Sequence, residues 1–162
     1  MSSGELQRKI RLVNERKKAA QLPEKLTGIQ VVGYESEIPA WVADAQKACL
    51  SITSIPDVRI SDGVNDSEVE AWYVELLHSG GIGQRFYCST GMENFPWVDC
   101  LIIGEGWLSS VRAALGDDIC FVSHSKTSLV VVFSEEYEYI GFRCTEVSKK
   151  GEGKSSNGGE EG

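Results

Sequence analysis

Three apolar runs in the last third of the chain constrain its fold most strongly. They are residues 119–123 (ICFVS), 128–134 (SLVVVFS) and 137–144 (YEYIGFRC), with only short loops between them. Runs of this length, rich in β-branched and aromatic residues, are typical of strands, and continuous apolar stretches indicate strands covered on both faces. Because short loops join antiparallel neighbours, we expect an antiparallel meander in this region.

A second strand pair is predicted upstream of the meander. Residues 82–89 alternate between apolar and polar, residues 95–103 are apolar on both faces, and the turn 90–94 between them has a usual hairpin length. Residues 28–35 predict another short strand, and residues 57–61 alternate only weakly.

Helical spacing is clearest in residues 66–79, where one face carries five apolar side chains. A second helix is predicted after Pro39 and a third over residues 107–115. The five apolar residues of the predicted helix 66–79 are Val69, Trp72, Tyr73, Leu76 and Leu77.

The N-terminal residues 4–21 predict a further helix with a thin apolar stripe. The stripe consists of Leu6, Ile10, Val13 and Ala20, and charged residues lie between them. We expect this helix to be packed on its own domain or partly mobile, rather than bound to a membrane or a nucleic acid. We expect Pro23 to end it, because proline lacks the N–H that a helix interior needs.

These elements predict an α+β fold in a single domain. We expect a mainly antiparallel sheet of five or six strands packed with about three helices. The alternative is a mixed sheet in which the crossover helix 107–115 creates one parallel pair. We expect the chain to divide into a basic helix and linker (1–26), an acidic α+β body (27–147) and a flexible Gly/Ser/Glu/Lys tail (148–162).

The formal net charge of −8 conceals an uneven distribution. Residues 1–26 carry 7 basic and 3 acidic residues, a net +4, and residues 148–162 are neutral. Residues 27–147 carry 6 basic and 18 acidic residues, a net −12. A body of this charge repels nucleic-acid phosphate and anionic membranes and attracts basic proteins. We therefore expect a basic protein partner and neither nucleic acid nor membrane as a ligand.

Cysteine usage and targeting signals point to a reducing compartment. The five cysteines form no CxxC pair, and four lie in apolar strand-like runs, which favours free buried thiols. No long apolar run and no secretory signal is readable, so we expect a cytoplasmic protein. No motif for a cofactor or a metal is present, and we expect neither.

Two acidic clusters are the candidate partner-binding residues. Carboxylates steer a basic partner towards its site, and aromatic side chains among them supply anchors. One cluster lies on the predicted helix 66–79, and the other interleaves with tyrosines at the start of the last strand. Their residues are Asp66, Glu68, Glu70, Glu75, Glu135, Glu136, Tyr137, Glu138 and Tyr139.

The function that this pattern favours is protein binding rather than catalysis. A small acidic immunity or inhibitor protein that neutralises a basic, nuclease-like toxin has these properties, because a nuclease surface that binds phosphate is cationic. One alternative is a small hydrolase or ligand-binding domain with a site near Asp99, Arg85 and His124, with Arg85 as the ion-pair partner of Asp99. Another is a structural or adaptor domain that oligomerises through the N-terminal helix.

Overall fold

The computed structural model describes residues 2–146 and confirms the α+β class and the antiparallel sheet. It contains seven strands and four helices, so the predicted five or six strands and about three helices were too few; the predicted tail 148–162 lies outside the described residues. The helices are α1 (Ser3–Lys25), α2 (Ala40–Cys49), α3 (Asp66–Ser79) and α4 (Trp107–Leu115). The strands are β1 (Ile29–Glu35), β2 (Val58–Ser61), β3 (Arg85–Ser89), β4 (Trp97–Ile102), β5 (Ile119–Ser123), β6 (Ser128–Ser134) and β7 (Glu138–Thr145).

The seven strands form one sheet in the order β1-β4-β3-β5-β6-β7-β2, and every neighbouring pair is antiparallel. The predicted β3–β4 hairpin and the β5–β6–β7 meander are both present. The mixed-sheet alternative is wrong, because α4 carries the chain from β4 past β3 to β5, and β3 separates the two strands that run in the same direction. The weakly alternating segment 57–61 supplies β2, which is stabilised by pairing with β7 from Val58↔Gly141 to Ser61↔Glu138.

The two faces of the sheet are covered unequally. The core on one face contains residues of α1, α3 and α4, including Tyr73 and Val111 packed with Phe86. In the part of the chain that the structure describes, α2 is the only helix that contributes to the core on the other face, where Val42 packs near Val131. The face predicted for α3 is confirmed, since Val69, Tyr73, Leu76 and Leu77 are buried and Trp72 packs against the same core.

The apolar stripe predicted for the N-terminal helix does not pack on the body. Leu6, Ile10 and Val13 are each about half exposed, and by the helical repeat they lie opposite Arg11 and Glu15. Those two polar side chains make the contacts: Arg11 forms an ion pair with Glu93 at 2.6 Å, and Glu15 accepts hydrogen bonds from residues 93 and 94. Ala19, Leu22 and Leu26 bury the C-terminal end of the segment instead. No helix within residues 2–146 has both the length and the apolar character needed to cross a membrane.

Pro23 lies inside α1 and does not end it. A proline at position 23 cannot donate to the carbonyl of Ala19, four residues earlier, so this buried acceptor loses its helical partner. The hydroxyl of Tyr34 on β1 donates to the same carbonyl at 2.7 Å. Burial raises the pKa of Tyr34, which keeps this hydroxyl protonated. A side chain from the sheet thus replaces the missing backbone donor, and the helix continues to Lys25.

We expect a Tyr34→Phe substitution to destabilise the protein by about 1–3 kcal/mol, because it leaves the Ala19 carbonyl buried without a donor. In a Pro23→Ala background the backbone N–H returns, and the same substitution should cost close to nothing. Urea denaturation of the wild type, the two single variants and the double variant measures this coupling. An equal cost of Tyr34→Phe in both backgrounds would contradict the interpretation.

Candidate acidic docking groove

The predicted acidic residues of α3 divide between its outer and inner sides. The helix begins after Asn65, whose side chain accepts a hydrogen bond from the Glu68 backbone N–H at 2.9 Å. Because the apolar face of α3 turns towards the sheet, Asp66, Glu68 and Glu75 are exposed. Glu70 lies at the margin of that face, where it contacts α4.

Glu70 and Tyr139 are held within the chain by Arg112 of α4. Nη1 of Arg112 lies 3.7 Å from Glu70, and its Nη2 donates to the Tyr139 hydroxyl at 3.3 Å. Its Nε donates to Asp117 at 2.9 Å, and its guanidinium carbon lies 4.9 Å from the centre of the Tyr73 ring. This arrangement joins α3, α4 and β7, so Glu70 and Tyr139 serve the packing of the domain.

Tyr73 lies beneath the Arg112 guanidinium, on the buried side of these contacts. Its ring is fully buried, and its hydroxyl donates to the backbone carbonyl of Asp117 at 3.2 Å. Burial raises the pKa of Tyr73, an effect that the charge of Arg112 opposes. The hydroxyl therefore stays protonated and remains a donor.

The second predicted cluster forms the turn between β6 and β7. The backbone N–H of Glu135 donates to the carbonyl of Glu138 at 2.7 Å, which closes the turn and leaves Tyr137 73% exposed. The backbone N–H of Asp62 donates to the carbonyl of Tyr137 at 3.1 Å. This bond holds the loop before α3 against the turn, so the two acidic clusters share the β7–β2 end of the sheet.

A groove of about 540 Å³ lies between this turn and the loop that follows α2. Glu135 and Glu138 line it together with Asp118 and Arg59. Arg59 forms an ion pair with Glu138 at 2.6 Å. With three carboxylates against one guanidinium, the charged lining of the groove is net negative.

The exposed apolar side chains of the groove come from residues 50–56, which sequence reasoning missed, while Phe133 and Ile140 of the sheet line it from below. Leu50 and Ile52 line the groove and are 67% and 101% exposed, and neighbouring Ile55 is 84% exposed. The Ser54 hydroxyl donates to the carbonyls of Cys49 and Ser51, at 2.9 and 2.8 Å, and fixes the loop in this position. One signal in the sequence could have indicated this exposed loop. Three aliphatic residues lie between two predicted elements, and their spacing fits neither a strand nor a helix.

The alternative constellation of Arg85, Asp99 and His124 lies on the face of the sheet that carries α2. Arg85 donates through Nε and Nη2 to the two carboxylate oxygens of buried Asp99, at 3.1 and 3.0 Å, so the predicted ion pair is present. His124 stacks on Tyr87, with ring centroids 5.7 Å apart, and Tyr87 lies opposite Asp99 in the β3–β4 pair. Because Arg85 binds both carboxylate oxygens of Asp99, we interpret these two residues as an ion pair that stabilises the β3–β4 hairpin.

The described part of the chain holds no cluster of three or more His, Cys, Asp or Glu side chains arranged to bind a metal ion. The chain matches no protein-family model, no curated protein and no solved structure to which it was compared. The function is therefore inferred from the geometry of the site.

We expect Arg112→Met to lower the free energy of unfolding by about 2–3 kcal/mol, because hydrogen bonds from a charged group and contacts with two aromatic rings are lost. Arg59→Met is the matched control, since Arg59 is more than half exposed and pairs with Glu138 near the surface. Its cost should stay below about 1 kcal/mol. Urea denaturation measures both, and equal losses would contradict a packing role for Arg112.

Proposed function

We propose that this chain is a protein-binding module that docks a basic partner in the groove between residues 50–56 and the β6–β7 turn. The observation that carries the proposal is the placement of exposed Leu50 and Ile52 beside Glu135 and Glu138 in one groove. When a partner covers exposed aliphatic side chains, their apolar surface is removed from water, which favours binding. The surrounding carboxylates speed association with a cationic surface and reject acidic ones.

Charge distinguishes this groove from a second one of about 290 Å³ near the end of α3. That groove is lined mainly by apolar side chains, including Val74, Ile82 and Trp107, and no carboxylate lines it. Of these two grooves, the one at the β7–β2 end combines apolar anchors with the charge that dominates residues 27–147. A basic partner with an apolar contact is therefore the chemistry that favours it.

The finer proposal is that the partner is a nuclease-like toxin and that the chain acts as its immunity protein or inhibitor. A surface that binds nucleic-acid phosphates is cationic, and an acidic protein of this charge competes for it. The support for this role is the net charge of −12 over residues 27–147 together with the groove.

The test compares two baits in affinity capture from the cells that make the protein. One bait is the wild type, and the other carries Ile52→Ser, Glu135→Gln and Glu136→Gln. We expect a basic protein to be retained by the wild type and lost from the variant. With the purified partner, Ile52→Ser should weaken binding by about tenfold. The two Glu→Gln changes should slow association and reduce its dependence on salt.

The matched control carries Ile103→Ser and Glu105→Gln, which change the same residue types after β4, away from the groove. Ile103 is 63% exposed, so its replacement tests general surface apolarity. Equal capture by all three baits, or recovery of no basic protein, would contradict the proposal. If the captured protein is a nuclease, its inhibition by the wild type and release by the groove variant test the finer role.

The exposed stripe of α1 favours a second candidate, an adaptor that self-associates. The occupant we propose for the stripe is the acidic groove of a second copy, because residues 1–26 carry a net charge of +4. Two α1 helices side by side would repel each other. The groove of the same copy is remote, since α1 contacts β1 at one edge of the sheet and the groove lies at the β7–β2 end.

Light scattering after gel filtration tests this second candidate. We expect a concentration-dependent dimer for the wild type and monomers for Ile10→Ser and Ile52→Ser alone. A mixture of the two variants should recover a dimer, because each copy keeps one of the two complementary surfaces. A monomeric wild type, or a dimer that Ile52→Ser leaves intact, would contradict this arrangement.

A further inference from the structure

Two cysteines far apart in the sequence meet beside the groove. Cys49 is the last residue of α2, and Cys144 is near the end of β7, yet their sulfur atoms lie 4.0 Å apart. Cys49 lines the groove and Cys144 is partly exposed. We propose that this pair is a site of reversible oxidation, in which a hydroperoxide such as hydrogen peroxide converts the two thiols into an intramolecular disulfide.

The local structure allows the sulfur atoms to approach bonding distance. A disulfide needs sulfur atoms about 2.05 Å apart, so they must approach by about 2 Å. Cys49 belongs to the buried cluster on this face, but it ends α2 and is followed by a loop with mostly exposed side chains, so a shift here disturbs fewer packed residues than one inside the helix. Cys144 is paired with Leu129 of β6 on one side, but it lies beyond the part of β7 that pairs with β2, which ends at Gly141. Neither residue therefore has a paired strand on both sides.

The two cysteines have different roles in the oxidation: one is the nucleophile that attacks peroxide, and the other is the resolving thiol. The hydrogen bond between the two sulfur atoms lowers the pKa of Cys144 and raises that of Cys49. Cys144 is also the more exposed of the two, whereas Cys49 is buried, so peroxide reaches Cys144 first and its thiolate is the attacking nucleophile. Cys49 is then the resolving thiol.

The reaction balances with peroxide as the only co-reactant. The Cys144 thiolate attacks one peroxide oxygen, the O–O bond breaks, and the leaving hydroxide takes a proton to become water. The Cys49 sulfur then attacks the resulting sulfenic acid. The S–O bond breaks, and hydroxide leaves with the Cys49 proton as a second water. Two thiols are oxidised and one peroxide is reduced to two waters.

The other cysteines have different surroundings. Cys88 and Cys100 are fully buried in the core on the opposite face. Cys120 lies on the same face as the pair, but its sulfur accepts a hydrogen bond from the Gln46 side chain at 2.9 Å. Cys120 is therefore the matched control for position on the sheet.

The test is peroxide treatment of the full chain, alkylation after denaturation, and peptide mapping by mass spectrometry. We expect the number of alkylated thiols to fall from five to three, with one reducible link between the peptides of Cys49 and Cys144. The Cys120→Ser variant should form the same link. In Cys49→Ser, dimedone should trap a sulfenic acid at Cys144. Five free thiols after treatment, or a link to any other cysteine, would overturn the proposal.

The consequence for binding rests on the proposed function. Because Cys49 begins the loop that carries Leu50 and Ile52, we expect oxidation to weaken a partner bound in the groove. Peroxide-treated Cys144→Ser, which cannot form the bridge, should keep the affinity of the reduced wild type. A bridge that forms without changing this affinity would overturn the regulatory role, whereas a partner insensitive to Ile52→Ser would overturn the groove itself.

Discussion

The structure depends on the burial of both faces of the central strands. Val130, Val131 and Val132 are successive residues of β6, and none of them is exposed. Because successive side chains of a strand point to opposite faces, such a run needs cover on each side of the sheet. Within residues 2–146, three helices contribute to one face, and the ten-residue α2 is the only helix on the other. The groove and its exposed loop lie where this short cover ends.

The sequence predicts most of the local structure because local spacing encodes it. The α3 face and the meander follow from periodicities within a single element. The Arg85–Asp99 pair follows from the hairpin, since paired strands bring diagonal neighbours on one face within reach of a long side chain. Glu135 and Glu138 are predicted as candidate residues from the density of acidic residues in a short segment.

The remaining features depend on contacts between distant residues. The short strand β2 is stabilised by β7, about 80 residues later, and no local signal reveals that partner. Pro23 is accommodated because Tyr34 supplies a donor from another element. The stripe of Leu6, Ile10 and Val13 has the spacing of a packed face but points away from the body. Periodicity reports which residues share a face and does not report what lies against it.

The two edges of the sheet restrict how any partner is recognised. One edge is β1, whose pairing with β4 is interrupted by an irregularity between Val31 and Gly33. The other edge is β2, which is only four residues long. Bulged and very short edge strands are poor templates for a strand from another chain. A partner of the kind we propose would therefore contact side chains presented by loops and helices, and substitutions there would alter its binding without altering the backbone of the sheet.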